Sequence, residues 1–380
     1  MPPPKPRVLV VFVDALGPSQ LERFGSELGV LPHRKKLSGI LGYSSGALPT
    51  VLTGVPPAVH GRMCLFSRRK EGDPSILAPL SVLGLLPRVV HERGALRRAL
   101  GKALSRARGL TGYVQLHRVP PEAFRWLDLP ERDDMFQAET IGPARTFLAD
   151  ARKAGLSVYA ARWQLPEAER WAEAHAELRK SRPDLAFLYA TELDGNLHER
   201  GNRDPLIGEV AARIGKRIAH ARELLADDGA SLTTIVVGDH GMADVDRVVD
   251  PRPVLPSLAP AQVFVDSTMI RLWGSPSALD RARLALERSS LPGAWLGRDD
   301  LRDRRAPTEG SPFAEALWVM PEGTLLAPSF LGGKVKGMHG YDLGTRSSFA
   351  ALATDDAGAA EAQAITDIAG VVRSRLGLAA

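Results

Sequence analysis

Aspartate and histidine recur in this chain where short apolar runs stop. "VLVVFVD" ends at Asp14, "AFLYATELDGNLHERG" brings Asp194 and, four residues on, His198, and "TTIVVGDHGM" ends in the adjacent pair Asp239 and His240. "KVKGMHGYDLG" adds His339 between Gly337 and Gly340, glycines that would let the backbone approach an ion closely. Taken singly, each has a plain structural role: a helix cap, a turn residue, a surface imidazole. Gathered in one cleft, however, several carboxylates would repel one another unless cations neutralised them. Mixed Asp/His sets are what zinc and manganese accept. The recurrence predicts a metal centre.

A second signal lies in "GYSSGALPTVLTGVPPAVHG", residues 42 to 61. Ser44, Ser45 and Gly46 precede the smooth apolar run Leu48 to Leu52. One reading is a helix N-cap followed by a helix that ends at Gly54. The other is a nucleophile held at a positively polarised helix start. The stretch alone admits both.

These residues need elements to position them. Val8 to Val13 is a continuous apolar run followed by "ALGPSQLERFG", the pattern of a buried parallel strand feeding a helix. It recurs in "LSVYAARW" (156 to 163), in "DLAFLYATELD" (184 to 194) and in "LTTIVVGDHGM" (232 to 242), with Ala/Glu-rich or amphipathic segments between. Strands alternating with helices predict an α/β fold with a doubly wound, mostly parallel central sheet flanked by helices, and ligands gather beyond the carboxyl ends of such strands. From 261 to 335 the texture shifts to shorter segments split by Pro and Gly, which predicts a small inserted α+β cap subdomain. Residues 1–260 and 336–380 then form the catalytic core, with a further insertion over 64–135 near the site. The tail "AAEAQAITDIAGVVRSRLGL" reads as a closing amphipathic helix.

At 44% hydrophobic and 24% charged residues, the 380-residue chain has an ordinary globular composition. A net charge of +5 suits an anionic partner but is too diffuse to imply a nucleic-acid polymer. Residues 86 to 108 concentrate seven Arg or Lys against one Glu, read as a solvated helix face, a lid over an anionic substrate, or a contact for nucleic acid or a membrane surface. Cys64 is the one cysteine, so there is no internal disulfide framework, and the six-residue run Val8 to Val13 is too short for a membrane span. The expectation is a cytoplasmic enzyme with a small-molecule substrate. Oligomeric state is not legible.

Set in order, "VFVDALG", "GYSSGALPTVLTGVPPAVHG", "YATELDGNLHERG", "VVGDHGMADVD" and "KGMHGYD" resemble the alkaline phosphatase superfamily, in particular its type I phosphodiesterase/nucleotide pyrophosphatase branch. In that family the nucleophile lies ten residues before the glycine of a "TG" that is followed, seven residues on, by the glycine of "HG". Counting back from Thr53-Gly54, with His60-Gly61 in register, lands on Ser44. The resemblance implies an alkaline phosphatase-like fold and two divalent cations, zinc first and manganese as the alternative. One would be held by Asp194, His198 and His339, the other by Asp14, Asp239 and His240 with the Ser44 oxygen. It implies a phosphoric ester hydrolase, phosphodiesterase or nucleotide pyrophosphatase in kind, acting through a phosphoseryl intermediate on Ser44.

Two departures qualify the resemblance. Many members carry an Asn a few residues after "HG" that holds the phosphoryl oxygen, and here that distance reaches Leu65. Arg62 or Lys336 is the candidate donor in its place, and Ser45, the competitor to Ser44 as nucleophile, is the third candidate substrate-binding residue. A phosphomonoesterase, phosphonate or sulfate ester hydrolase is the alternative within the superfamily, although Gly46 and Leu48 stand where a sulfatase needs Pro or Ala and then Arg. A non-catalytic anion-binding protein on the same scaffold is the alternative of another class.

Overall fold

Six consecutive apolar residues, Val8 to Val13, have no exposed surface at all, which marks the first strand as the middle of a sheet covered on both faces. The structure is a computed structural model of the chain and describes residues 6–24, 28, 31–69, 72, 77–79, 81, 99, 103, 119–129, 134–226, 231–308, 310–330 and 332–378. The strands of the two larger sheets, in chain order, are β1 (Pro6–Val13), β2 (His33–Leu37), β3 (Val158–Ala160), β4 (Leu185–Ala190), β5 (Ser231–Val237), β6 (Gln262–Val265), β7 (Met269–Trp273), β8 (Ala294–Leu296), β9 (Ala316–Val319) and β10 (Ala350–Thr354). The helices used below are α1 (Ser44–Thr53), α2 (Phe147–Lys153), α3 (Glu167–Ser181), α4 (Glu192–Arg200), α5 (Leu206–Ala226), α6 (Pro276–Arg288) and α7 (Ile368–Arg375).

The main sheet has the order β2-β10-β5-β1-β4-β3. β1 runs parallel to both β4 and β5, and β3 parallel to β4; β10 runs antiparallel to β5 and β2. Alternation along β1 sends Leu9, Val11 and Val13 to one face, where Trp171 and Leu178 of α3 and Ile214 and Ile218 of α5 cover them. Val8, Val10 and Phe12 face the other way, against Val51 and Leu52 of α1, Phe147 of α2 and Val372 of α7. Helices on both faces of a mostly parallel sheet give the expected doubly wound α/β architecture.

Two strands of that sheet, β2 and β10, lie outside the sequence reading, and β10 breaks the parallel rule. The tail also differs from expectation. Short turns of 3-10 helix at Ala359–Glu361 and Ile365–Asp367 precede α7, which begins only at Ile368. Asp367 is the reason: its Oδ2 accepts from the backbone of Gln363 and Ala364, holding the preceding chain out of the helix.

Residues 262–319 form a second sheet, order β6-β7-β9-β8, antiparallel throughout, with α6 packed on it through Ala282 and Leu286. Its core is continuous with Leu41, Tyr43, Met63 and Met338, so it leans on the loops at the end of the main sheet. The basic segment 86–108, apart from Ala99 and Ala103, lies outside the described residues, as does much of 64–135. Among the described residues no helix is long and apolar enough to cross a membrane.

Candidate active site

β4, β1 and β5 are adjacent, parallel and in register, so their carboxyl ends fall on one edge. Asp14 follows β1, Asp239 and His240 follow β5, and α4 begins two residues after β4, carrying Asp194 and His198 one turn apart on one face. Local backbone sharpens this convergence. Ala15 adopts the left-handed conformation at φ +61°, costly for a residue with a Cβ, and its N–H donates to Asp239 Oδ1 at 3.0 Å. Gly238 passes so close to Leu16 that a Cβ would run into its carbonyl. His339 arrives from the opposite side, one residue beyond the two-residue strand Gly337–Met338, which pairs with Ala243–Asp244.

The stretch around Ser44 does form a helix, α1, ending at Gly54 with φ +83°. Ser44 is nevertheless not its cap. Tyr43 occupies the cap position without a side-chain hydrogen bond, and Ser44 is the first helical residue. The Ser44 hydroxyl donates to Asp14 Oδ1 at 3.3 Å and lies 2.9 Å from His240 Nε2.

Hydrogen bonds fix how the imidazoles point. His198 Nδ1 lies 2.8 Å from the Gly337 carbonyl and His240 Nδ1 2.8 Å from that of Gly241. A carbonyl only accepts, so both Nδ1 atoms carry hydrogen and both Nε2 atoms are aimed inward. Burial opposes charge on His240, but Asp239, whose Oδ2 is 3.1 Å from Nε2, and Asp14 push its pKa up to about 9. The imidazolium then donates to the Ser44 oxygen. His339, stacked on His240 with ring centroids 3.6 Å apart, is driven well below the usual histidine range by burial and by its two histidine neighbours, and stays neutral.

The carboxylates show the strain of this crowding. Burial, then Asp239 and Asp194, raise Asp14 well above the ordinary carboxyl range, even though Tyr189 donates to its Oδ2 at 3.2 Å. Burial pushes Asp194 the same way, but His198 and His339 outweigh it and hold that carboxyl below the usual range. Two buried acids, Asp14 and Asp239, with the partly buried Asp194 beside them, call for positive charge.

Whether the residues fit metal ions can be read from the atoms left without partners. Asp194 Oδ1 and Asp239 Oδ2 are buried and make no hydrogen bond, and His339 Nε2 lies 4.0 Å from Asp194 Oδ1. Asp194, His198 and His339 present one ligand atom each within 4.8 Å of one another, and so do Asp14, Asp194 and His240. The donor set is oxygen and imidazole nitrogen, suited to zinc or manganese. The first group is the expected one; in the second, Asp194 stands where Asp239 was expected, so Asp194 belongs to both groups.

The candidate substrate residues are placed less tightly. Ser45 sits beside Ser44 in the first turn of α1, and its buried Oγ has no hydrogen-bond partner. The Arg62 backbone borders the same turn, its carbonyl near where a Cβ on Gly46 would stand. Lys336 is exposed, and its backbone joins the His198 carbonyl to Val245. Tyr189, the phenol on Asp14, was not foreseen. It lies inside the apolar run of β4, and nothing about that run distinguishes a tyrosine that fills the core from one that donates to an acid.

No curated relative matches the chain in sequence. Among solved structures, it is similar to murine ectonucleotide pyrophosphatase/phosphodiesterase 5 at 16% identity and a TM-score of 0.69, covering 98% of this chain and 96% of that one. The human protein of the same name matches at 15% identity with the same TM-score and coverage. An inactive variant of the murine protein in complex with AMP matches at 16% identity and a TM-score of 0.69, covering 99% and 96%. Likeness at this identity shows the fold, which is alkaline phosphatase-like. The family model for type I phosphodiesterase/nucleotide pyrophosphatase matches residues 116–342, more than half of the chain, and spans Asp194, His198, Asp239, His240 and His339 while leaving Asp14 and Ser44 outside. The chain belongs to the type I phosphodiesterase/nucleotide pyrophosphatase family and is a hydrolase of the phosphodiesterase/phosphatase type.

Proposed function

We propose that the protein is a dinuclear metal-dependent phosphoric ester hydrolase, most at home on small phosphodiesters, that works through a phosphoseryl intermediate on Ser44. The observation that carries this reading is the Ser44 hydroxyl, on the first residue of a helix, 2.9 Å from His240 Nε2 and 3.3 Å from Asp14 Oδ1. Asp194, His198 and His339 would hold one cation, and Asp14, Asp239 and His240 with Ser44 Oγ the other, zinc being the expected metal. When bound, a cation pair neutralises the carboxylates, lowers the pKa of the serine hydroxyl and balances charge on the oxygens of an in-line displacement.

The chain's own residues supply the rest. The Ser44 oxygen forms a bond to phosphorus as the bond from phosphorus to the leaving alcohol or nucleotide oxygen breaks, and the proton lost from the hydroxyl is balanced by one gained at the departing oxygen. Backbone N–H groups in the first turn of α1 would stabilise a non-bridging oxygen. Water then forms a new bond to phosphorus and the Ser44 ester breaks, returning the hydroxyl. Gly337 and Gly241 carbonyls keep His198 and His240 turned inward throughout. Leu65, where an amide would hold phosphoryl oxygen, leaves this task to Ser45, to Arg62 or to Lys336.

Turnover of bis-p-nitrophenyl phosphate by metal-loaded protein tests the proposal. Ser44→Ala and exhaustive chelation should each abolish it, by about three orders of magnitude or more, as expected for losing a nucleophile. A Ser44→Ala variant that retains wild-type turnover contradicts the assignment. Parallel rates on p-nitrophenyl phosphate and a phosphonate ester decide between diester and the other substrate classes.

A further inference from the structure

The geometry points to Thr268, acting with Tyr43, as a positioning residue that ties the nucleophile to the opposite side of the site; this rests on the roles given above to Ser44 and His339. Thr268 is fully buried in the tight connection between β6 and β7, so it belongs to the second sheet rather than to the strands that carry the acids. Its hydroxyl donates to the Gly340 carbonyl at 2.7 Å, which can only accept. The Thr268 oxygen therefore receives the Tyr43 hydroxyl, 2.9 Å away, and the Thr268 N–H approaches that phenol oxygen at 3.4 Å.

Tyr43 immediately precedes Ser44, and Gly340 immediately follows His339. One side-chain hydroxyl thus joins the two chain segments that bring the nucleophile and the last imidazole together. The Tyr43 ring closes the link, meeting His339 edge-on with centroids 5.6 Å apart. Gly340, at φ +83°, must be glycine for this, since a Cβ there would overlap the Tyr43 ring.

A buried ion pair flanks the hairpin that presents Thr268. Asp266 Oδ2 and Arg271 Nε lie 2.6 Å apart with neither side chain exposed, and Arg271 Nη1 donates to the carbonyls of Phe66 and Phe313. The Thr268 carbonyl accepts from Met320 N–H beyond the end of β9. A satisfied core threonine needs no such alignment with two functional segments. The consequence is that the second sheet sets the distance between Ser44 and His339.

Thr268→Val keeps the shape and removes the hydroxyl, Tyr43→Phe removes only the phenol oxygen, and Thr268→Ser restores the hydroxyl. Zinc affinity by chelator competition, and kcat and KM on bis-p-nitrophenyl phosphate, are measured for each alongside thermal unfolding. We expect zinc affinity to fall about 10- to 100-fold in the first two variants, as for lost outer hydrogen bonds at metal sites. kcat should fall with KM little changed, and Thr268→Ser should recover both. If Thr268→Val does not fold, Tyr43→Phe carries the same test. Folded variants with wild-type zinc affinity and kcat overturn the assignment. A wild type that binds zinc but hydrolyses none of the esters defeats the proposed function instead, and the zinc affinities still decide the role of Thr268.

Discussion

His60 is buried between α1 and the loop that follows it, and its neighbours fix its state. The Arg62 N–H donates to Nδ1 at 3.1 Å, so the hydrogen of the neutral ring sits on Nε2, 2.9 Å from Thr50 Oγ1, whose own hydrogen goes to the Gly46 carbonyl. Burial, with help from the Arg62 charge, lowers its pKa from 6.5 to about 4. A lowered histidine pKa contributes stability that is whole above the unfolded value and drains away as pH falls toward the folded one. Between pH 6.5 and 4 the expected loss is about 3 kcal/mol. Urea unfolding of wild type and His60→Asn across that range checks this: the wild-type advantage at pH 7 should shrink by that amount at pH 4, and a constant gap contradicts it. At this scale Asp14, Asp194, Asp239 and His240 were legible because they close apolar runs, His198 by its spacing from Asp194 and His339 by its flanking glycines. Tyr189, Tyr43 and Thr268 were not, because a hydroxyl inside an apolar segment shows its partner only once the chain has folded.

Elements decide how closely the acids can meet. Gly238 lets β5 end against Leu16, and so brings Asp239 to the Ala15 N–H. Gly238→Ala would force those segments apart, costing about 1–3 kcal/mol of stability by overpacking. Metal affinity should fall with it, because Asp239 is carried on the displaced segment. Thermal unfolding together with chelator competition tests both, and an Ala variant with unchanged stability and affinity contradicts the close approach. β1, β4 and β5 could be read from the sequence as continuous apolar runs. β2 could not, since "HRKKL" places Arg34 and Lys36 on an exposed edge where charge protects an unpaired strand. β10, "AALAT", was hidden for another reason: alanine has weak strand preference, and the burial that holds it there comes from tertiary packing.

For the molecule as a whole, the alternating strand and helix pattern was enough to predict a doubly wound sheet, because parallel strands buried on both faces leave that mark in any sequence. The way the second sheet leans on Tyr43 and Met63 was not legible, since it depends on contacts between segments some two hundred residues apart. Zinc-loaded crystals measured across the zinc absorption edge test the account most directly. It predicts two anomalous peaks about 4 Å apart, one in ligand reach of Asp194, His198 and His339, the other of Asp14, Asp239, His240 and Ser44 Oγ. A lone peak held by other residues, or none at the ends of β1, β4 and β5, would contradict it.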